Sequence, residues 1–214
     1  MLFTFLRRSD ISVAALGLGS WQRGRRQLLW GTLLGFLVVG VIVLVDGLLG
    51  FCRVEIYPDI FRVVRTVTIF FPVAFLVGIL EELIFRGYVL QQLLACSRSM
   101  AIVLSSLAYA LVHLRQQFVW PAAALELVGL TILGVVLCLS CLKTGQLYWA
   151  IGFHAAVAYM ARVNKLFLVF EHPTWTWFIG TGRLVNGVMA WCVLGIIGGL
   201  LIRWHGTAQA EDRG

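Results

Sequence analysis

The sequence predicts an all-α fold, a polytopic bundle of about six transmembrane helices around an intramembrane polar cavity. Three observations carry that expectation. Hydrophobic residues fill 60% of the 214 positions and charged residues only 13%, against roughly 45–50% and 25% in soluble domains. With a mean hydropathy of +0.92, the chain has more apolar surface than one core of this length can hide, so lipid must solvate the rest. A few ionisable residues nevertheless interrupt the apolar runs, and such residues face the protein interior.

The net charge of +7 gathers at Arg7, Arg8, Arg23, Arg25 and Arg26, ahead of the first long apolar run. That is the positive-inside pattern of a cytoplasmic amino terminus. No basic stripe continues into a polar domain, which argues against nucleic acid as a partner. Residues 1–6 are too short for the apolar core of a signal peptide, and no small-residue cleavage site follows the run from Leu28. Of the five cysteines, Cys138 and Cys141 form a CxxC inside an apolar helix. No second CxxC or His pair accompanies it, so they read as buried small hydrophobes.

The chain divides into a basic cytoplasmic segment (1–26), a transmembrane domain (27–203) and a polar tail (204–214). The first span, 27–51, meets Asp46 near its end. The polar stretch 52–65 reads as an interhelical loop or short interfacial helix. The second span, 67–95, includes Pro72, a candidate kink. Its length of about 43 Å exceeds a hydrocarbon core of about 30 Å, so it should tilt, bend or protrude. Spans follow at 100–114, at 121–142 (opened by Pro121, well suited to a first turn), at 146–160 and at 184–202. The Trp-rich stretch around Trp175 and Trp177 reads as an interfacial loop. Six spans put both termini on the cytoplasmic side of a cell membrane. Arg98 and Lys143 then fall inside, while Arg62, Arg65, Arg162 and Lys165 fall outside, so the bias is not uniform.

The ionisable residues at depth are Glu81, Glu82 and Arg86 in the second span, His113 in the third, Glu126 in the fourth and His154 in the fifth. Each costs about 2.5–3.5 kcal/mol on insertion scales. Glu82 and Arg86, four apart, share a helix face and form a pair. A structural ion pair explains these two but leaves Glu81, rotated about 100° away, needing another partner. His113 and His154 are available. A lone intramembrane His is often only an interhelical hydrogen-bonder. Two His with a Glu pair instead supply a general base, a second proton-handling group and an oxyanion donor, the requirements of water-mediated peptide hydrolysis. Glu126 is expected either near the outer end of its span or on the cavity wall.

Glu81-Glu82-Leu83-Ile84-Phe85-Arg86 resembles the EExxxR motif of the CAAX protease and bacteriocin-processing (CPBP) family of intramembrane peptidases. The run from Tyr109 to His113 is similar to that family's second motif, an aromatic residue followed by a His. Gly152-Phe153-His154 resembles the start of its third, HxxxN, after a Gly-containing span (Gly129 to Gly134). The resemblance covers roughly residues 25–200. It implies a water-filled cavity open to the membrane, with Glu81 and His113 activating water and His154 stabilising the oxyanion. Glu82 and Arg86 would hold the site together.

The family's Asn four residues after the third-motif His is Ala158 here, so the missing oxyanion donor is expected to be replaced by Tyr159, the nearer candidate, or by an ordered water. A Glu/His/His set could hold zinc, but no HExxH is present and the metal-free reading is preferred. The expected partners are membrane lipid and a membrane-associated peptide or protein substrate. The alternatives are a non-catalytic family member acting as a scaffold or immunity-type protein, which Ala158 favours, and a transporter using the same groups as a proton path. Six spans without visible repeats weigh against the transporter.

Overall fold

The computed structural model describes residues 16–114, 122–170, 176–179 and 185–204. Residues 1–15, Pro121, Trp175 and the tail from 205 onward lie outside them. The described chain is a helix bundle with one two-stranded ribbon. Its helices are α1 (Trp21–Leu48), α2 (Ile60–Glu82), α3 (Leu90–Leu94), α4 (Arg98–His113), α5 (Ala122–Thr144), α6 (Tyr148–Val163), α7 (Thr176–Ile179) and α8 (Val188–Arg203). Among the described residues, three helical stretches are long and apolar enough to cross a membrane: Trp21–Leu48, Ile60–Leu94 and Ala122–Thr144. Arg98–His113 and Val188–Arg203 are shorter apolar helices.

The stretch expected to be a loop between the first two spans differs. Cys52–Val54 forms β1, which pairs antiparallel with β2 (Leu168–Phe170), and Asp59 caps α2 by accepting a hydrogen bond from the Arg62 amide at 2.9 Å. Side-chain capping satisfies one of the amides orphaned at a helix start. Helix α2 therefore begins before the expected 67. The ribbon was not legible because three-residue strands carry too little alternation to stand out. Pro72 lies inside α2, which runs on to Glu82.

Between α2 and α3 the chain is π-helical over Leu83–Val89. The Leu90 amide bonds back to the Phe85 carbonyl, five residues away, and Ser105 Oγ donates to the same carbonyl at 3.1 Å. A π-turn widens the helix and often marks a functional segment. Here it carries Arg86.

Helix α6 is the axis of the bundle, and every residue from Trp149 to Val157 is buried. On one side α1 runs parallel to it at close range. A Cβ at Gly31 would collide with the Trp149 carbonyl oxygen, and one at Gly35 would stand 2.8 Å from the Phe153 carbonyl oxygen. From the other direction, a Cβ at Gly152 would collide with the Leu28 carbonyl oxygen. This is the small-residue contact that lets two backbones meet where lipid gives no hydrophobic drive. On its other side α2 runs antiparallel, with Gly78 against the Ile151 carbonyl and Tyr159 Oη donating to the Val67 carbonyl.

Helix α4 approaches α5 at Gly134, where an added Cβ would stand 2.9 Å from Ser106 Cα. Helix α8 closes the bundle beside α5, and Lys143 Nζ donates to the Ile202 and Trp204 carbonyls at 3.0 and 2.8 Å. Cys138 and Cys141 are buried, unbridged thiols on α5.

Candidate active site

Glu81 and Glu82 end α2, Arg86 sits in the π-helical turn, Tyr109 and His113 share one face of α4, and His154 projects from the axial α6. The close approaches at Gly78 and Gly134 bring these backbones near enough for the side chains to meet.

Two connected layers result. In the inner one, Arg86 Nη1 donates to Glu82 Oε1 at 2.9 Å and Nη2 to the Gly134 carbonyl at 3.2 Å. Arg86 and Glu82 are both fully buried, and the guanidinium carbon lies 4.6 Å from the centre of the Tyr109 ring. Such a stacked guanidinium gains cation–π attraction beside its ion pair. Glu82 Oε1 also lies 2.8 Å from His154 Nδ1. A carboxylate oxygen there fixes the proton on Nδ1 and turns Nε2 toward the outer layer.

In the outer layer, His113 Nδ1 faces the Tyr109 carbonyl at 2.8 Å, which places a proton on Nδ1. Its Nε2 is 3.1 Å from Glu81 Oε2. The two groups stand at ion-pair distance, and Glu81 Oε2 is otherwise buried without a well-aligned hydrogen-bond partner. His154 Nε2 stands 3.6 Å from the same Glu81 oxygen and accepts from Tyr109 Oη at 3.4 Å. Glu81 and His113 are about one-quarter exposed, whereas His154 is nearly buried.

A cavity of about 220 Å³ opens over this outer layer. Glu81, Tyr109, His113 and His154 form its polar wall, and Val77, Leu130, Leu133 and Val157 are among its apolar lining. Ala158 lines it too, so the departure from HxxxN faces the site. Glu126 and Lys165 complete the lining. That places Glu126 on the cavity wall rather than merely at a span end.

Tyr159 is placed differently from the sequence expectation. Its hydroxyl is engaged with the Val67 carbonyl at 3.2 Å, its ring packs edge-on against Phe36 and Phe71, and it is absent from the cavity wall. One residue beyond Ala158 is a turn of about 100° on the helix, which carries Tyr159 out of the site. The tyrosine that does line the cavity is Tyr109, whose hydroxyl sits beside His154 Nε2. A readable signal existed for it: a Tyr inside an apolar helix needs a partner for its O–H, and it lies one turn before His113. Nothing in the sequence marked Lys165 or the Gly134 carbonyl.

Among the described residues, no group of three or more His, Cys, Asp and Glu is placed to hold a metal ion. The two Nε2 atoms converge on Glu81 Oε2, at 3.1 Å from His113 and 3.6 Å from His154.

Residues 63–160, a little under half of the chain, match the family described as type II CAAX prenyl endopeptidase Rce1-like. Searches of curated proteins and of solved structures give no match. The matched segment runs through Glu81, Glu82, Arg86, Tyr109, His113 and His154. The segment that carries the polar cluster is thus similar to a family of CAAX endopeptidases, in keeping with the resemblance its motifs bear to the CAAX protease and bacteriocin-processing family.

Proposed function

We propose that the protein is an intramembrane endopeptidase that hydrolyses a peptide bond of a membrane-associated peptide or protein with water activated by Glu81 and His113. The observation that carries this reading is the 3.1 Å approach of Glu81 Oε2 to His113 Nε2 on the wall of a cavity that also presents His154 and Tyr109.

In the proposed reaction His113 carries a proton on each ring nitrogen and Glu81 stands as the carboxylate. Glu81 takes one proton from a water molecule as the water oxygen attacks the scissile carbonyl carbon. The carbonyl π electrons move to oxygen, and the Tyr109 hydroxyl turns from His154 Nε2 to donate to the oxyanion, a role the resemblance had given to His154, whose Nε2 carries no proton here. His113, held cationic beside Glu81, adds positive charge to the same space. When the carbon–nitrogen bond breaks, Glu81 passes its proton to the leaving nitrogen, which restores the carboxylate. The products are a carboxylic acid, which ionises, and an amine. Glu82 orients His154, and Arg86 holds Glu82, so neither touches substrate.

The resemblance and the basic residues ahead of the first long apolar run support a multi-pass protein of the cell membrane with both termini cytoplasmic. The apolar lining and the position of the cavity among helices support a substrate drawn from the membrane. A comparison of membrane-peptide profiles from cells with the active protein and with Glu81→Ala tests the reading. Peptides whose cleavage products vanish in the variant are expected, and identical profiles at equal protein levels would refute hydrolysis.

A further inference from the structure

A second cavity, about 440 Å³ and separate from the catalytic one, opens between α1 and α8 at the end of the bundle where α5 and α8 finish. Its volume falls within the roughly 300–1,000 Å³ of small-molecule sites. Its polarity changes along its length. Arg26 and Gln27 stand at the open end, Trp30 one turn below, and Leu34 at the floor. Leu34 lies about 12 Å deeper than Arg26 at 1.5 Å per residue. On the facing wall, Trp204 stands at the rim and Leu200 below it.

Two polar groups at the rim have nothing to bind among the described residues. Gln27 Oε1 is buried without a hydrogen-bond partner, and no carboxylate pairs with Arg26. The neighbouring cation, Lys143, is already occupied by the Ile202 and Trp204 carbonyls. The slot therefore asks for an amphipathic ligand: an apolar chain below, an anion for Arg26 and a hydrogen-bond donor for Gln27.

We infer that this groove holds one anionic glycerophospholipid, with an acyl chain between Trp30, Leu34 and Leu200, its phosphate on Arg26 and a headgroup hydroxyl on Gln27. A buried acceptor without a donor is costly, and a headgroup hydroxyl supplies the donor. A tryptophan at the rim, Trp204, suits the boundary between headgroup and chain. The inference rests on the membrane setting and not on the catalytic reading.

The test is native mass spectrometry of the full chain in a neutral detergent, titrated with phosphatidylglycerol or phosphatidylcholine. Arg26→Ala removes the charge, and Leu200→Trp fills the groove from a position that is mostly exposed. Thermal melting of both variants checks that they fold. One phosphatidylglycerol per chain is expected, bound at least tenfold more weakly by Arg26→Ala and not retained by Leu200→Trp. Equal binding of phosphatidylcholine, or phosphatidylglycerol held as well by folded variants, would reduce the site to ordinary solvating lipid and overturn the inference. So would displacement by inorganic phosphate alone at matched concentration, or a dimer that excludes the lipid by burying the groove in a second copy.

Discussion

His154 Nδ1 and Arg86 Nη1 meet at the same oxygen of Glu82, at 2.8 and 2.9 Å. One carboxylate oxygen thereby ties a ring facing the cavity to a cation that never sees it. The other, Oε2, is buried without a partner, so the tie is concentrated in a single atom.

Removing Arg86 leaves Glu82 as a buried, uncompensated charge. Arg86→Ala should lower stability by about 3–5 kcal/mol. Glu81→Gln keeps the shape and removes the base, so it should cut kcat by about 10²–10⁴-fold with little change in melting temperature. Thermal melts and cleavage rates of the two purified variants check this. Matching losses of stability would mean that the two carboxylates are not divided in role.

The two tyrosines should separate. Tyr159→Phe loses one hydrogen bond to the Val67 carbonyl, worth about 1 kcal/mol, and should cleave at the wild-type rate. Tyr109→Phe loses the hydroxyl on the cavity wall and should lower kcat by about 10²-fold with KM little changed. A slow Tyr159→Phe beside a normal Tyr109→Phe would reverse the assignment.

Ala158 faces the cavity, so Ala158→Asn would place an amide where the resembled motif has one. Activity at or above wild type is expected in a side-by-side cleavage assay. Activity appearing only in this variant would mark the natural chain as non-catalytic.

Metal removal gives an independent check. In the proposed reaction Glu81 alone takes the proton from water, so prolonged dialysis against a chelator should leave cleavage unchanged. Loss of activity restored by added zinc would contradict the water-activation scheme as drawn.

Gly31→Ala should destabilise the protein by an amount on the order of 1–3 kcal/mol or more, since its Cβ overpacks a backbone carbonyl rather than a mobile side chain. Gly40→Ala, on the same helix with open space around it, is the control and should melt like wild type.

Much of the bundle was legible because lipid solvation leaves a coarse signal: long apolar runs, with costly polar residues inside them. Glu81, Glu82, Arg86, His113 and His154 stood out for that reason. The same physics hid other features. The grip of α1 on α6 depends on which glycines face each other, and an apolar run looks alike whichever face carries Gly31 and Gly35. The π-helical turn is a local hydrogen-bond choice with no residue signature, so the sequence reading treated Glu82 and Arg86 as an ordinary helical pair. Proximity along the chain points to Tyr159, but a single step of helical phase carries it out of the cavity. Capping by Asp59 was readable in principle, but the neighbouring charges disguised the start of α2 as a loop.

The glycine seam has a consequence for how the chain is made. Helix α1 leaves the ribosome first, yet the backbone it must lie against belongs to α6, and α2 to α5 are synthesised in between. Until α6 arrives, the face around Gly31 and Gly35 has no native partner, and a long-range contact of this kind forms late and slowly. Any passing helix with a small-residue face could occupy it meanwhile. The bundle's most intimate contact is therefore also its most exposed interval during biogenesis, and crowding of membrane insertion should lower yield before it lowers activity.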